Sequence, residues 1–309
     1  MNIQTAVIAV GFTIVIGISI SWWVNSPTKF PEPTGATSAP ANAIRAPKPK
    51  TATLPDLVPN TAELLPGFEK REPCFSPALT PDLLSIIFSM AGRVGSGFDL
   101  YESTRPSIDD PFGDPVLLET TVSPETEAYP AISPNGLELI YVKSDINPTL
   151  WIAKRKSRQE PFQENKLWEA VGKVDASIRV GTPQFLDANR VVFSKLEKNG
   201  SRSLWLVQRS GTKFRNPKLF VQQQGAEALF LSKNGLRAYY PHIEGGLYLV
   251  SRAALSHQYG LPLPLTSKEQ TGPIDGTIWV SPQEDVLIYC SPGLQKEIGS
   301  SRRLWQIAF

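Results

Sequence analysis

A chain of 309 residues with 28 prolines and only 19% charged residues is not an all-helical protein, because each proline removes a backbone donor and breaks helix interiors. The net charge of +2 sits at the front: Lys29, Arg45, Lys48 and Lys50 precede residue 51 against Glu32 alone, which leaves 27 basic and 28 acidic residues behind them. That near-neutral remainder lacks the electrostatic footprint of a nucleic-acid binder, and two cysteines with two histidines, His242 and His257, give no metal-ligand spacing.

The first element is an uncharged run, Ala6 to Val24. At about 1.5 Å per helical residue its nineteen residues nearly cross a hydrocarbon core of about 30 Å. Trp22 and Trp23 close it, as interfacial aromatics do. The run is longer than the apolar region of a cleaved signal peptide and no charged segment precedes it, so residues 1–24 are read as a single-pass signal-anchor. The basic residues that follow argue by the positive-inside rule for a cytoplasmic globular part, a point taken up again below.

Residues 25–54 come next, with Pro27, Pro31, Pro33, Pro40, Pro47 and Pro49 among Ser, Thr and Ala. Such composition builds no core and favours extended polyproline-like states. It predicts a disordered tether that spaces a folded domain, residues 55–309, from the membrane.

The folded part is a fivefold repeat. In each unit an apolar run ends in turn chemistry and a β-branched or aromatic run follows. A polar loop then leads to a run centred on Leu-Trp or Leu-Tyr. The second unit is the clearest: Tyr129-Pro130-Ala131-Ile132 into Ser133-Pro134-Asn135-Gly136, then Leu139 to Val142, then Thr149-Leu150-Trp151-Ile152. The other units begin at Ser76, Thr182, Leu229 and Ile278. A weaker fourth strand follows four of the five, at Val116, Lys166, Lys218 and Leu263. In four units the third-run aromatic precedes an arginine by four residues: Tyr101/Arg105, Trp151/Arg155, Trp205/Arg209 and Tyr248/Arg252.

Four strands per unit, repeated about an axis, predict an all-β fold, a five-bladed β-propeller with six blades as the alternative. The third-run Trp and Tyr are expected between blades. The fifth unit reaches Phe309 without a fourth strand, so residues 61–68 are expected to complete it and close the ring, which removes an exposed sheet edge. Closure brings Cys74 and Cys290 to one face of adjacent blades, where two buried thiols or, outside the cytoplasm, a disulfide are both open.

The Ser-Pro-Asn-Gly turn, the aromatic-ended strand and the Leu-Trp strand resemble the TolB-type, WD-like propeller repeat over about 75–309. The third unit departs from it with Leu186-Asp187, and the fifth lacks Asn-Gly after Pro282. The resemblance implies an exported interaction platform, and on that basis the propeller is placed outside the cytoplasm. The expected function is a non-enzymatic, membrane-tethered platform for a protein or cell-envelope component, with no cofactor and no nucleic acid.

Chemistry, if present, is expected at the channel mouth near the starts of the first strands, where Glu127, Glu227 and Asp275 stand. Five-bladed glycoside hydrolases resemble this architecture and place carboxylates near the axis. Two carboxylates can act there as acid and base, which makes a carbohydrate-active enzyme the alternative. Solvated rim acids are the plainer reading of the three. The glycine-rich stretch from Gly92 to Gly97 falls in a hairpin and not between strand and helix, so it is not a nucleotide cradle.

Overall fold

The computed structural model describes residues 61–69, 73–92, 97–144, 147–171, 178–199, 201–223, 229–242, 245–292 and 302–309. The expected anchor at 1–24 and the expected linker at 25–54 lie outside these residues. Among the described residues no helix is long and apolar enough to cross a membrane.

Five four-stranded antiparallel sheets are present. Blade 1 is β2 (Cys74–Leu79), β3 (Ser85–Ala91), β4 (Phe98–Thr104) and β5 (Val116–Leu117); blade 2 is β6 (Glu127–Ile132), β7 (Glu138–Lys143), β8 (Thr149–Lys154) and β9 (Glu164–Leu167). Blade 3 is β10 (Arg179–Asp187), β11 (Arg190–Leu196), β12 (Arg202–Ser210) and β13 (Lys213–Gln223). Blade 4 is β14 (Phe230–Leu231), β15 (Arg237–Pro241), β16 (Leu247–Ser251) and β17 (Leu263–Pro264). Blade 5 is β18 (Asp275–Val280), β19 (Val286–Ser291), β20 (Arg303–Ala308) and β1 (Glu63–Leu64). Five blades account for every described strand, which settles the count against six. A four-residue helix, α1 (Lys268–Thr271), joins blades 4 and 5.

Ring closure is as the repeat demands. β1 pairs with β20 through Glu63↔Gln306 and Leu64↔Trp305. Leu65 and Phe68 behind it are fully buried, and Cys74 N–H donates to Arg302 O at 3.1 Å across the seam. The two cysteines meet there, both buried, and Cys290 Sγ–H donates to the Cys74 carbonyl at 2.9 Å.

Five buried clusters fill the five gaps between blades. One sheet cannot hide both faces, and each gap buries the facing sides of two neighbours. The aromatic code inside them is sharper than the sequence reading. In every blade a second-strand ring stands directly opposite the third-strand ring: Phe88↔Tyr101, Tyr141↔Trp151, Phe193↔Trp205, Tyr240↔Tyr248 and Tyr289↔Trp305. Phe88, Tyr141, Phe193 and Tyr289 are fully buried; the third-strand rings are half-buried and only pack against the clusters. Fully burying one such side chain contributes about 1.5–3 kcal/mol, so the second strand carries more of the core than the Leu-Trp strand.

The aromatic-to-arginine spacing also has a structural cause. Each arginine turns back to the tight turn of its own blade: Arg105 Nε to Leu83 O, Arg155 Nε to Gly136 O, Arg209 Nε to Ala188 O and Arg252 Nε to Gly235 O, at 2.7–3.0 Å. Each guanidinium also lies over a ring from the loop or strand that follows, Phe112, Phe162, Phe214 or Tyr259, at 4.2–4.6 Å. Two of them reach the previous blade, Arg155 to Glu102 and Arg209 to Glu138. Burial alone would raise the Glu138 pKa; hydrogen bonds from Arg209 and Lys154 outweigh it and hold the carboxyl below its ordinary range.

The tight turns are built alike. Thr80, Ser133, Ser232 and Ser281 each accept a hydrogen bond from the backbone N–H that starts the next strand, at Ser85, Glu138, Arg237 and Val286. Gly136 and Gly235 take positive φ at the last turn position, where glycine has no steric penalty. Leu83 and Glu284 hold the same conformation at φ 61 and 62, which is how the two divergent turns keep the geometry without glycine.

Candidate functional site

The site grows from a defect that recurs in the first strands. Ser76, Tyr129 and Thr182 have φ of 51, 52 and 37, and each precedes a proline, Pro77, Pro130 or Pro183. A pre-proline residue is pushed towards extended backbone by sterics, so this conformation costs energy that the surroundings must supply. Gly276 takes φ 77 at the matching place in blade 5, where no side chain opposes it. The ladder slips at each one, between Phe75/Ala78, Ala128/Ala131, Gly181/Gln184 and Asp275/Ile278. These are β-bulges, which re-aim side chains and tolerate proline because a ladder bond is already missing. An X-Pro recurring at one repeat position inside an apolar run is the sequence signal that marks them.

Above the bulges the five first strands enclose an axial cavity of about 540 Å³. It extends from Pro77, Tyr129, Thr182 and Thr277 to the turns at Pro81, Pro134, Lys233 and Pro282. Its wall is apolar, with Ala78, Ala131, Phe185, Leu229, Phe230 and Trp279 prominent.

The polar groups on that wall are mostly engaged. Gln184 donates to Leu231 O at 2.6 Å and accepts from Leu231 N at 2.8 Å. Asp187 holds Arg190 at 2.8 Å, and Glu284 holds Arg237 at 3.1 Å and accepts from Tyr239 Oη. The charge left over at the mouth is Lys233, exposed and in no ion pair among the described residues.

The three carboxylates singled out from sequence do not gather here. Glu127 opens β6, at the far end of the strand from the turns, and is fully buried. Its Oε1 accepts from Ser123 Oγ, its Oε2 has no hydrogen-bond donor among the described residues, and the Asp99 carboxyl lies within hydrogen-bonding reach. Asp99 is itself 1% exposed. Burial first, and then the Asp99 charge, push the Glu127 pKa up to about 7, against the opposing effects of Ser123 and Lys143. Asp275 is the first residue of β18, with its side chain outside the description, and Glu227 lies outside the described residues altogether. Among the described residues no cluster of three or more His, Cys, Asp or Glu could hold a metal ion. Gly92 N–H donates to Gly97 O at 2.9 Å, and residues 93–96 of the glycine-rich stretch lie outside the described residues.

No protein-family model matches this chain, and no curated protein does. Solved structures do. An α-L-arabinofuranosidase from Podospora anserina, determined with cellotriose, is 13% identical over 80% of this chain and 94% of its own, with a TM-score of 0.51. TolB from Acinetobacter baumannii is 16% identical over 77% of this chain, with a TM-score of 0.47. The match spans only 55% of that TolB chain. A thermostable family-43 glycoside hydrolase is 13% identical with a TM-score of 0.49. At such identities the likeness is one of fold alone.

Proposed function

We propose that the chain is a non-enzymatic binding propeller, held at a membrane by residues 6–24 and spaced from it by the proline-rich linker. It displays the axial cavity, on the extracytoplasmic side, to an apolar segment of a protein partner. One observation carries the reading: the cavity wall is apolar while its acids, Asp187 and Glu284, are committed to arginines of the scaffold. Such a wall recognises apolar side chains by burial and, among the described residues, offers no acid and base pair to place about a glycosidic bond.

The carbohydrate-active alternative has one observation in its favour, a Glu127 carboxyl pushed up to about 7, the range of a general acid. Against it, Glu127 and Asp99 are sealed between blades 1 and 2 and neither lines the cavity.

A peptide array probed with the full chain separates the two. Apolar peptides retained by the wild type and lost by Leu229→Asp support cavity binding. Peptides held equally by both place recognition elsewhere. Release of reducing sugar from a polysaccharide panel, abolished by Glu127→Gln, replaces the reading with hydrolysis.

A further inference from the structure

We infer that the chain assembles head to tail with further copies of itself, the outer edge of blade 1 on one copy docking against the outer edges of blades 3 and 4 on the next. This goes beyond the cavity reading and does not depend on it.

The first observation is charge. From Pro106 to Val142 the sequence holds seven acids and no lysine or arginine; from Lys198 to Lys268 it holds ten lysines and arginines against Glu227 and Glu244. The two runs reach the surface at different places. Asp109, Asp114 and Glu119 are exposed on the outer part of blade 1, about the edge strand β5. Lys213, Arg215 and Lys218 are exposed on β13, the outer edge of blade 3. Lys218 stands opposite Leu206, which packs into the cluster between blades 3 and 4, so this charge leaves blade 3 on the side of blade 4.

The second observation is apolar. Ile108 and Val116 are exposed on blade 1, Leu219 on blade 3, and Leu255, Leu261 and Leu263 on blade 4. These are six of the seven large apolar side chains exposed among the described residues, and Leu261 is 93% exposed. Single exposed leucines are ordinary, but a set confined to two edges of opposite charge supplies the apolar centre and polar rim of an interface. Lysine and proline on an open edge such as β13 also guard against strand pairing. A guard explains neither the leucines beside Lys218 nor the acids about Val116.

The third is position. Five blades divide a full turn into steps of about 72°, so the boundary between blades 3 and 4 lies about 180° from blade 1. Complementary patches on opposite sides of a ring cannot both be satisfied within one pair. The contact is heterologous, and it propagates as a row of propellers.

The test is sedimentation velocity on the full chain in detergent micelles, at about 0.05 M and about 0.5 M salt. The wild type is expected to form oligomers that shift towards monomer in high salt, because exposed charges are screened. Arg215→Glu with Lys218→Glu, and separately Asp114→Lys with Glu119→Lys, should each associate at least about tenfold more weakly. Their melting should be unchanged, since all four side chains are exposed. Mixing the two charge-reversed proteins should restore association, because each keeps the edge that the other needs. Leu261→Ser should weaken association at both salt concentrations. A wild type that stays monomeric, oligomers that both charge-reversed proteins form as well as the wild type does, or a mixture that remains monomeric overturns the inference. So does a monomeric wild type that binds phosphatidylglycerol vesicles more tightly than phosphatidylcholine vesicles through Arg215 and Lys218, which gives the basic edge to an anionic bilayer instead.

Discussion

Arg155 of blade 2 grips Glu102 of blade 1 through two parallel hydrogen bonds, Nη1 to Oε2 at 2.7 Å and Nη2 to Oε1 at 2.9 Å. The two side chains are only 2% and 12% exposed, and Ser85 Oγ also donates to the Glu102 carboxylate at 2.5 Å. A bidentate pair out of water fixes the angle between two sheets that are otherwise held by non-directional apolar packing. Removing one partner strands a buried charge. Glu102→Ala is expected to cost about 3–5 kcal/mol in urea denaturation, and the double change Glu102→Leu with Arg155→Met is expected to recover most of it. A loss under about 1 kcal/mol would class the pair with surface bridges.

The seam gives a second expectation. Phe68 packs edge-on against Phe88 at 5.1 Å and Phe112 at 5.8 Å, so the closing segment is anchored by a ring and not by its two-residue strand. Phe68→Ala should cost about 3–5 kcal/mol. A chain lacking residues 1–69 should melt well below one lacking residues 1–60 and should associate, because β20 becomes an open edge. Equal melting of the two truncations would mean that β1 contributes nothing to closure.

The thiols offer a third. Cys74 and Cys290 are both fully buried in the cluster between blades 5 and 1. A disulfide-exchange reagent should therefore find no reactive thiol in the native protein and two in denaturant. Thiols are reactive as thiolates, and burial in apolar surroundings suppresses that form. A native protein that yields no thiol even when unfolded would mean that the two are bonded after oxidation.

The fold was legible because the five repeats obey one grammar, and every strand that the grammar placed is present within a few residues. Less was legible about which positions carry the load. The alternation of the second strand reads as an ordinary half-buried pattern, yet Tyr141 and Tyr289 sit deeper than the Leu-Trp residues that draw the eye, because the third strand's outer neighbour is only the short edge strand β9 or β1, while the second strand lies inside it. The Arg155 and Arg209 spacing was visible as a pattern, but its purpose depends on carbonyls about twenty residues earlier in the chain and on carboxylates one blade away. The cavity was missed for a related reason. Its floor is made by the Ser76, Tyr129 and Thr182 bulges, whose positive φ no local propensity predicts. Glu127 was picked out by its place at a strand start, which does not reveal that Asp99 comes to meet it from the neighbouring blade.

That meeting gives the last expectation, in pH. Glu127 titrates at about 7 in the folded protein against 4.5 for an ordinary glutamate. Between those values the native state holds a proton that the unfolded state has released, so stability falls as pH rises through the interval and levels off above about 7. At about 1.4 kcal/mol per pH unit the full effect is about 3 kcal/mol. Glu127→Gln removes the ionisation and keeps a donor for Asp99. Its stability relative to the wild type is therefore expected to be near zero at pH 4.5 and to climb towards about 3 kcal/mol by pH 8. Other carboxylates act in the opposite sense: Glu138, Asp82 and Asp187 all titrate below their ordinary values, and the stability they add is lost on acidification. The difference between the two proteins cancels those contributions and isolates Glu127. A difference that stays flat from pH 4.5 to 8 would show that Glu127 is ionised throughout, and that the contact with Asp99 is relieved by something other than a proton.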